Sequence, residues 1–169
     1  MVNCQLDKAD RLARITQQIG YVLWQFQELE GVSAQYYVLL AEASLGMGYS
    51  DGMALVAEAK KRTFGATIRQ LAKADLICGE TAASFGELLV ERNWLVHRSR
   101  SESRSAIHSD KDMEELVSRL GSMGERALSL LKTIGSLIEA HVRNHGLSQE
   151  TIEKATESLL AEWHRSESL

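Results

Sequence analysis

The chain has 169 residues, of which 44% are hydrophobic and 25% are charged, and it contains no proline. Ordinary usage would give roughly eight prolines in this length. Because proline is excluded from helix interiors, its absence indicates a nearly all-helical chain. The length suits a single domain, residues 1–169, with a proper hydrophobic core. The net charge of −4 excludes a polycation, so any contact with nucleic acid must come from a local basic patch.

The sequence carries no signal for a membrane or for export. Its apolar runs are far shorter than the roughly 20 residues that cross a bilayer, and its first residues lack the basic-then-apolar pattern of a signal peptide. Cys4 and Cys78 have no metal-binding or redox spacing, and we interpret them as free thiols in a reducing cytosol. We therefore expect a cytoplasmic protein with no membrane partner, no metal and no cofactor.

A stripe of apolar residues at alternating steps of three and four predicts a long first helix. The stripe comprises Leu12, Ile15, Ile19, Val22, Phe26 and Leu29, and continues through Ser33 to Tyr36, Leu40 and Ala43. Gly31 leaves the continuity of this helix open, and the glycines of residues 46–50 predict its end. Ser50 or Asp51 is then expected to cap a shorter helix that runs to about Lys61.

Two further short helices are predicted before a loop. Thr63 is expected to cap a helix over 64–74, and an apolar pattern predicts another over 80–98. Residues 99–109 are rich in serine and arginine and have few apolar side chains. This composition predicts an exposed, mobile loop.

A second stripe predicts another long helix after this loop. It comprises Leu116, Leu120, Met123, Ala127, Leu130, Ile134 and Leu137. Ser109 and Asp112 resemble a capping box at its start, Gly146 suits its end, and a last helix is expected from about Ser148. The sequence therefore predicts an all-α fold, an antiparallel helical bundle with two long helices and three to four shorter ones.

The most specific functional pattern lies in residues 91–98, which contain Arg92, Asn93 and, four residues further on, His97. This pattern resembles the signature of the HEPN superfamily (higher eukaryote and prokaryote nucleotide-binding domains), in which an arginine, often followed by asparagine, precedes a histidine by four to six intervening residues. The asparagine and the aliphatic Leu95 make the match much stricter than the spacing alone. The resemblance covers this segment in detail and the rest of the chain only as an all-helical bundle of the right size.

Helical geometry separates these residues. Asn93 and His97 share one face, whereas Arg92 lies about 140° from His97. Arg92 must therefore reach round the helix or meet a partner across an interface, which favours a two-fold homodimer in which two copies of the segment line one cleft. Residues 92–104 contain four arginines and one glutamate. An RNA backbone is expected to bind such a positive patch on an acidic protein.

In catalytic members, the resemblance implies metal-independent RNA cleavage, in which the ribose 2′-hydroxyl attacks the adjacent phosphorus and leaves a 2′,3′-cyclic phosphate. It implies that His97 is the general acid/base, that Arg92 holds the phosphate and that Asn93 orients the reacting groups. Arg98, Arg100 and Arg104 would steer RNA without reading its bases. The expected protein is a dimeric endoribonuclease, as a toxin or phage-defence effector, with RNA and an antitoxin or regulatory protein among its partners.

Two alternatives remain open. Many superfamily members cleave nothing, so the chain is alternatively a non-catalytic module that binds a nucleotide, RNA or a protein partner. Arg92 can also simply pair with Glu87, Glu91 or another carboxylate, in a helical interaction protein whose match to the signature is accidental. Members that a nucleotidyltransferase antitoxin neutralises often carry a tyrosine two residues after the histidine. This chain has Ser99 there, which argues against that scheme.

Overall fold

The structure, a computed structural model, describes residues 2–44 and 46–166. Within these ranges the backbone forms seven α-helices and no strand, so the prediction of an all-α fold is confirmed. The helices are α1 (Val2–Tyr37), α2 (Tyr49–Ala59), α3 (Phe64–Lys73), α4 (Gly79–His97), α5 (Ser99–Glu102), α6 (Asp110–Asn144) and α7 (Gln149–Ser166). A π-helical segment, Val38–Glu42, follows α1, and a turn of 3-10 helix, Arg104–Ile107, follows α5.

The chain folds into two compact units, Met1–Ile134 and Gly135–Leu169. The first contains α1 to α5 and most of α6, and every residue of the predicted site belongs to it. The second contains the end of α6 and α7. The single domain over 1–169, the antiparallel order of the helices and the two-fold dimer stay predictions.

The core of the first unit is built on the two predicted stripes. On α1, Ile15, Val22, Phe26 and Leu29 are buried, and Ser33 continues the stripe with no exposed surface. On α6, the buried side chains are those of Met113, Leu116, Leu120, Met123, Ala127, Leu130 and Ile134. These two helices have 36 and 35 residues, so the prediction of two long helices is confirmed. Leu12 departs from the first stripe and Leu137 from the second, because 50% and 37% of their surfaces are exposed.

Helix α1 is continuous through Gly31, which answers the question that the sequence left open. A Cβ atom at Gly31 would meet only the Lys60 side chain, at 3.8 Å, so this glycine marks no close packing and no turn. The predicted break follows instead at Gly46, whose φ of 87° is costly for other residues.

The predicted cap of α2 is wrong. Gly48 is the N-cap residue, with no side-chain hydrogen bond, and Ser50 and Asp51 lie inside the first turn. An acidic side chain at Asp51 still suits that turn, since the N-terminal end of a helix dipole is positive.

The start of α3 is fixed by Thr63, as predicted: its hydroxyl accepts a hydrogen bond from the Ala66 N–H at 3.3 Å. We expect Thr63→Ala to lower the free energy of unfolding by about 1 kcal/mol, because the first turn of α3 loses its side-chain cap. Thr133→Ala is the control, since Thr133 is exposed within α6 and caps nothing. Urea denaturation measures both, and equal effects of the two substitutions would contradict the capping role.

The predicted loop over 99–109 is largely helical. Ser99–Glu102 forms α5 and Arg104–Ile107 forms the 3-10 turn, with Ser99 and Ala106 buried. The Ser99 hydroxyl donates to the Leu95 carbonyl at 2.6 Å, and the Ser101 hydroxyl donates to the Arg98 carbonyl at 2.9 Å. The serines that indicate a loop by composition therefore bond back to the preceding turn and continue helical structure.

The ends of the last two helices are close to the predicted positions. The Ser109 hydroxyl accepts from the Asp112 N–H at 3.3 Å at the start of α6, and Gly146 has a φ of 90° just after its end. The Ser148 hydroxyl accepts from the Thr151 N–H at the start of α7. Of the apolar residues at positions 152, 155, 159 and 163 of α7, Ile152 is half-buried and Ala155 is exposed, whereas the side chains of Leu159 and Trp163 lie outside the described residues. In the ranges described, no helix has the length and hydropathy of a membrane span.

Candidate functional site

Helix α4 carries the signature residues on two sides, with Asn93 and His97 on one and Arg92 on the other. Phe85, Leu88 and Leu95 are buried and mark its core side. The exposed side, which we name the outer face of α4, consists of Gly86, Val90, Asn93 and His97. At 100° per residue these four lie within about 60° of one another. Asn93 and His97 therefore share a solvent-exposed face, as the sequence predicts.

Val90 gives the outer face an exposed apolar side chain, one of several in the part of the chain that the structure describes. Its side chain is 62% exposed, although a valine stabilises a protein mainly when it is buried. It lies between Gly86 and Asn93 on the same face, and glycine permits the close approach of another backbone. The outer face thus combines an apolar contact point with two polar side chains.

Arg92 lies on the other side of α4, close to α1. Its Nε donates a hydrogen bond to Glu30 Oε1 at 3.0 Å, and the two side chains are 29% and 28% exposed. Among the described residues, the Arg92 side chain forms no other hydrogen bond. Both of its Nη groups are therefore available to an anion. One chain therefore does not bring Arg92 and His97 onto the same face.

The partner of Arg92 is a carboxylate that no pattern in the sequence singles out. Glu87 binds Arg126 at 2.7 Å and Glu91 binds Arg119 at 2.9 Å, so neither of these two expected partners pairs with Arg92. Glu30 is 62 residues away in sequence. A contact between residues so far apart produces no periodic pattern in the sequence. It is seen only once α1 packs against α4.

The pair between Arg92 and Glu30 predicts a measurable coupling. In a double-mutant cycle of Arg92→Ala and Glu30→Ala, we expect a coupling free energy of about 1 kcal/mol, because both groups are shielded from solvent. The control cycle uses Lys111 and Glu115, which lie 3.8 Å apart and are mostly exposed. Chemical denaturation of the two sets of variants tests this, and a coupling no larger than in the control would contradict it.

The C-terminal end of α4 is held by a cluster around Trp94. The indole is buried, its Nε1 donates to Glu102 Oε2 at 2.5 Å, and the Arg119 guanidinium lies 3.5 Å from the ring centroid. Glu91 holds that guanidinium in turn. Stacking and charge pairing join α4, α5 and α6 here, so the backbone that carries His97 is well fixed. No motif or spacing in the sequence indicates this cluster.

The predicted basic patch divides into two parts. Arg98 lies 3.8 Å from Glu102, which offsets part of its charge. Arg100 and Arg104 are exposed and line a groove together with α1. The structure therefore brings Arg100 and Arg104 together at one groove, whereas Arg98 belongs to the end of α4.

Metal ligands do not gather at this site. Over the part of the chain that the structure describes, no group of three or more histidine, cysteine, aspartate or glutamate side chains could hold a metal ion. The side chains that α4 and the following segment expose at the surface include the His97 imidazole, the Asn93 amide and the Arg100 guanidinium.

Comparison with protein-family models, with curated proteins and with solved structures finds no match to this chain. The relationship to the HEPN superfamily stays a prediction from the signature residues of α4.

Proposed function

We propose that the chain is a metal-independent endoribonuclease of HEPN type that acts as a two-fold dimer through α4. The observation that carries this proposal is the outer face of α4, where exposed Val90 lies beside Asn93 and His97. A second copy of the same face would bury Val90 and bring two copies of Asn93 and His97 into one cleft. Dimer formation thus explains the exposed valine, and it requires the long Arg92 side chain to extend round α4 from the side that contacts α1.

In this dimer, the Arg92 side chain of one protomer reaches round α4, and its guanidinium and His97 of the partner act on the same phosphate. The 2′-hydroxyl oxygen forms a bond to phosphorus while the bond from phosphorus to the 5′-oxygen breaks. A histidine suits the proton transfers, because its ordinary pKa lies near neutral pH. It removes the proton of the 2′-hydroxyl or returns one to the 5′-oxygen. The free Nη groups of Arg92 stabilise the charge that develops on the phosphate oxygens.

The contact between Arg92 and Glu30 fits this role as a positioning device. A bond through Nε fixes the plane of the guanidinium and leaves its two Nη groups for a phosphate. Asn93 orients the phosphate or the imidazole from the adjacent turn. Arg98, Arg100 and Arg104 supply attraction for the RNA backbone that does not depend on sequence.

A second candidate function is a non-catalytic dimeric module that binds RNA, a nucleotide or a protein partner. The observation that favours it is the same pair of Arg92 and Glu30, since an arginine held by a carboxylate on the core side of α4 also serves packing alone. Such a module would bind its ligand at the exposed residues and release no product.

The test is incubation of the pure protein with total RNA and with tRNA in EDTA, followed by identification of the new ends. The proposal predicts cleavage that EDTA does not affect and that leaves 2′,3′-cyclic phosphates. Binding of RNA without any product would favour the non-catalytic module. Cleavage that EDTA abolishes would contradict the proposed mechanism.

A further inference from the structure

A groove in the first unit lies between α1 and the segment from α5 to the 3-10 turn. Its volume is about 440 Å³, within the range of small-molecule sites in proteins. The apolar side chains that line it are Leu12, Ile15, Ile19, Ile107 and Leu116. Leu12 is 50% exposed at its edge, which explains why this residue departs from the buried stripe of α1.

The polar side chains of the groove carry charge of one sign. Arg100 and Arg104 line it together with Thr16, Ser99 and Ser103, and its lining contains no acidic residue. Within the described ranges, neither arginine forms an ion pair. The two unpaired guanidinium groups are complementary to an anionic head group, and the apolar groove beside them is complementary to an apolar tail.

The neighbouring charged residues do not neutralise the two arginines of the groove. Arg11 forms an ion pair with Asp110 and donates to the Ile107 carbonyl at 3.4 Å, so both of these charges are compensated next to Ile107. Glu102, the nearest acidic residue in sequence to Arg100 and Arg104, accepts from Trp94 and lies near Arg98. The uncompensated charge is therefore positive and belongs to Arg100 and Arg104.

We propose that this groove binds a single-chain amphiphile with an anionic head group, such as a fatty-acid carboxylate. The tail lies against Leu12, Ile15 and Ile19, and the head group pairs with Arg100 and Arg104. An RNA backbone attracted by Arg100 and Arg104, as in the proposed function, would pair with the guanidinium groups but leave the apolar walls of the groove without a partner.

The ligand used in the test is dodecanoate below its micellar concentration, titrated calorimetrically into the full chain. We expect saturable binding that is at least about tenfold tighter than the binding of uncharged dodecanol. The double substitution Arg100→Ala with Arg104→Ala should weaken dodecanoate binding by about tenfold or more. Lys73→Ala with Lys132→Ala removes two exposed charges elsewhere and should leave it within about twofold.

A second variant and a second readout locate the ligand. Thr16 is exposed at the groove, so Thr16→Phe should fill it without disturbing the core and abolish binding. Methyl NMR spectra should change at Leu12, Ile15 and Ile107 on addition of dodecanoate. Absence of binding, equal binding of dodecanol, or binding of an acidic amphipathic peptide in place of dodecanoate would overturn the proposal. This test needs no RNA, so its failure would leave the proposed function standing.

Discussion

Replacing His97 with alanine should lower the rate of RNA cleavage in EDTA by a factor of about 10² to 10⁴. The physical reason is the loss of the proton-transfer group, a contribution of this size in general acid–base catalysis. His97 is exposed at the end of α4, so the substitution removes no core contact and the fold is retained. The measurement is the initial rate on one defined RNA, with circular dichroism to verify helical content.

The matched control is His108→Ala, which removes another exposed histidine that lies beyond the 3-10 turn. Its rate should stay within about twofold of the wild-type rate. Arg92→Ala should lose about 10² to 10³, because a preorganised positive charge at the phosphate is removed. Full activity of pure His97→Ala or Arg92→Ala protein would exclude the mechanism assigned to these residues.

Replacing Val90 with glutamate should raise the dissociation constant of the dimer at least about a hundredfold. The substitution puts a carboxylate, and its symmetry mate, into the contact that the outer face of α4 is proposed to form. Because Val90 is 62% exposed and glutamate has the better helix propensity, the isolated chain should stay folded. Sedimentation velocity over a range of concentrations measures the change, and RNA cleavage should fall with the loss of dimer.

Met53→Glu is the control for this substitution, since Met53 is an exposed apolar residue within α2, away from the outer face. It should leave the association state unchanged. A wild-type chain that is monomeric at high concentration, or a Val90→Glu variant that dimerises as well as Met53→Glu, would rule out α4 as the interface.

Local patterns were enough to predict most helices. The stripes on α1 and α6 follow from the period of the helix, and the caps at Thr63 and Ser109 follow from short-range hydrogen bonding. Composition gave a wrong prediction where serine can occur either in a loop or in a helix. The serines of residues 99–109 suggested a loop, yet Ser99 and Ser101 bond back to the preceding turn.

For the candidate site, the sequence predicts only the relation between residues of one helix. The shared face of Asn93 and His97 follows from their spacing and agrees with the exposed positions of both residues. The bond from Arg92 to Glu30 and the stacking of Arg119 on Trp94 join residues distant in sequence. Such contacts depend on how helices pack, which the pattern of a single chain does not determine.

The most direct test of the shared site is a mixture of two inactive variants, Arg92→Ala and His97→Ala, allowed to exchange subunits. If Arg92 of one protomer and His97 of its partner act together, each heterodimer holds one intact site. An equal mixture should then recover roughly a quarter of wild-type RNA cleavage, since about half of the dimers are heterodimers with one of two sites intact. The same mixture carrying Val90→Glu should recover none. Heterodimers verified by native mass spectrometry that cleave no faster than either parent variant would contradict a site shared between two chains.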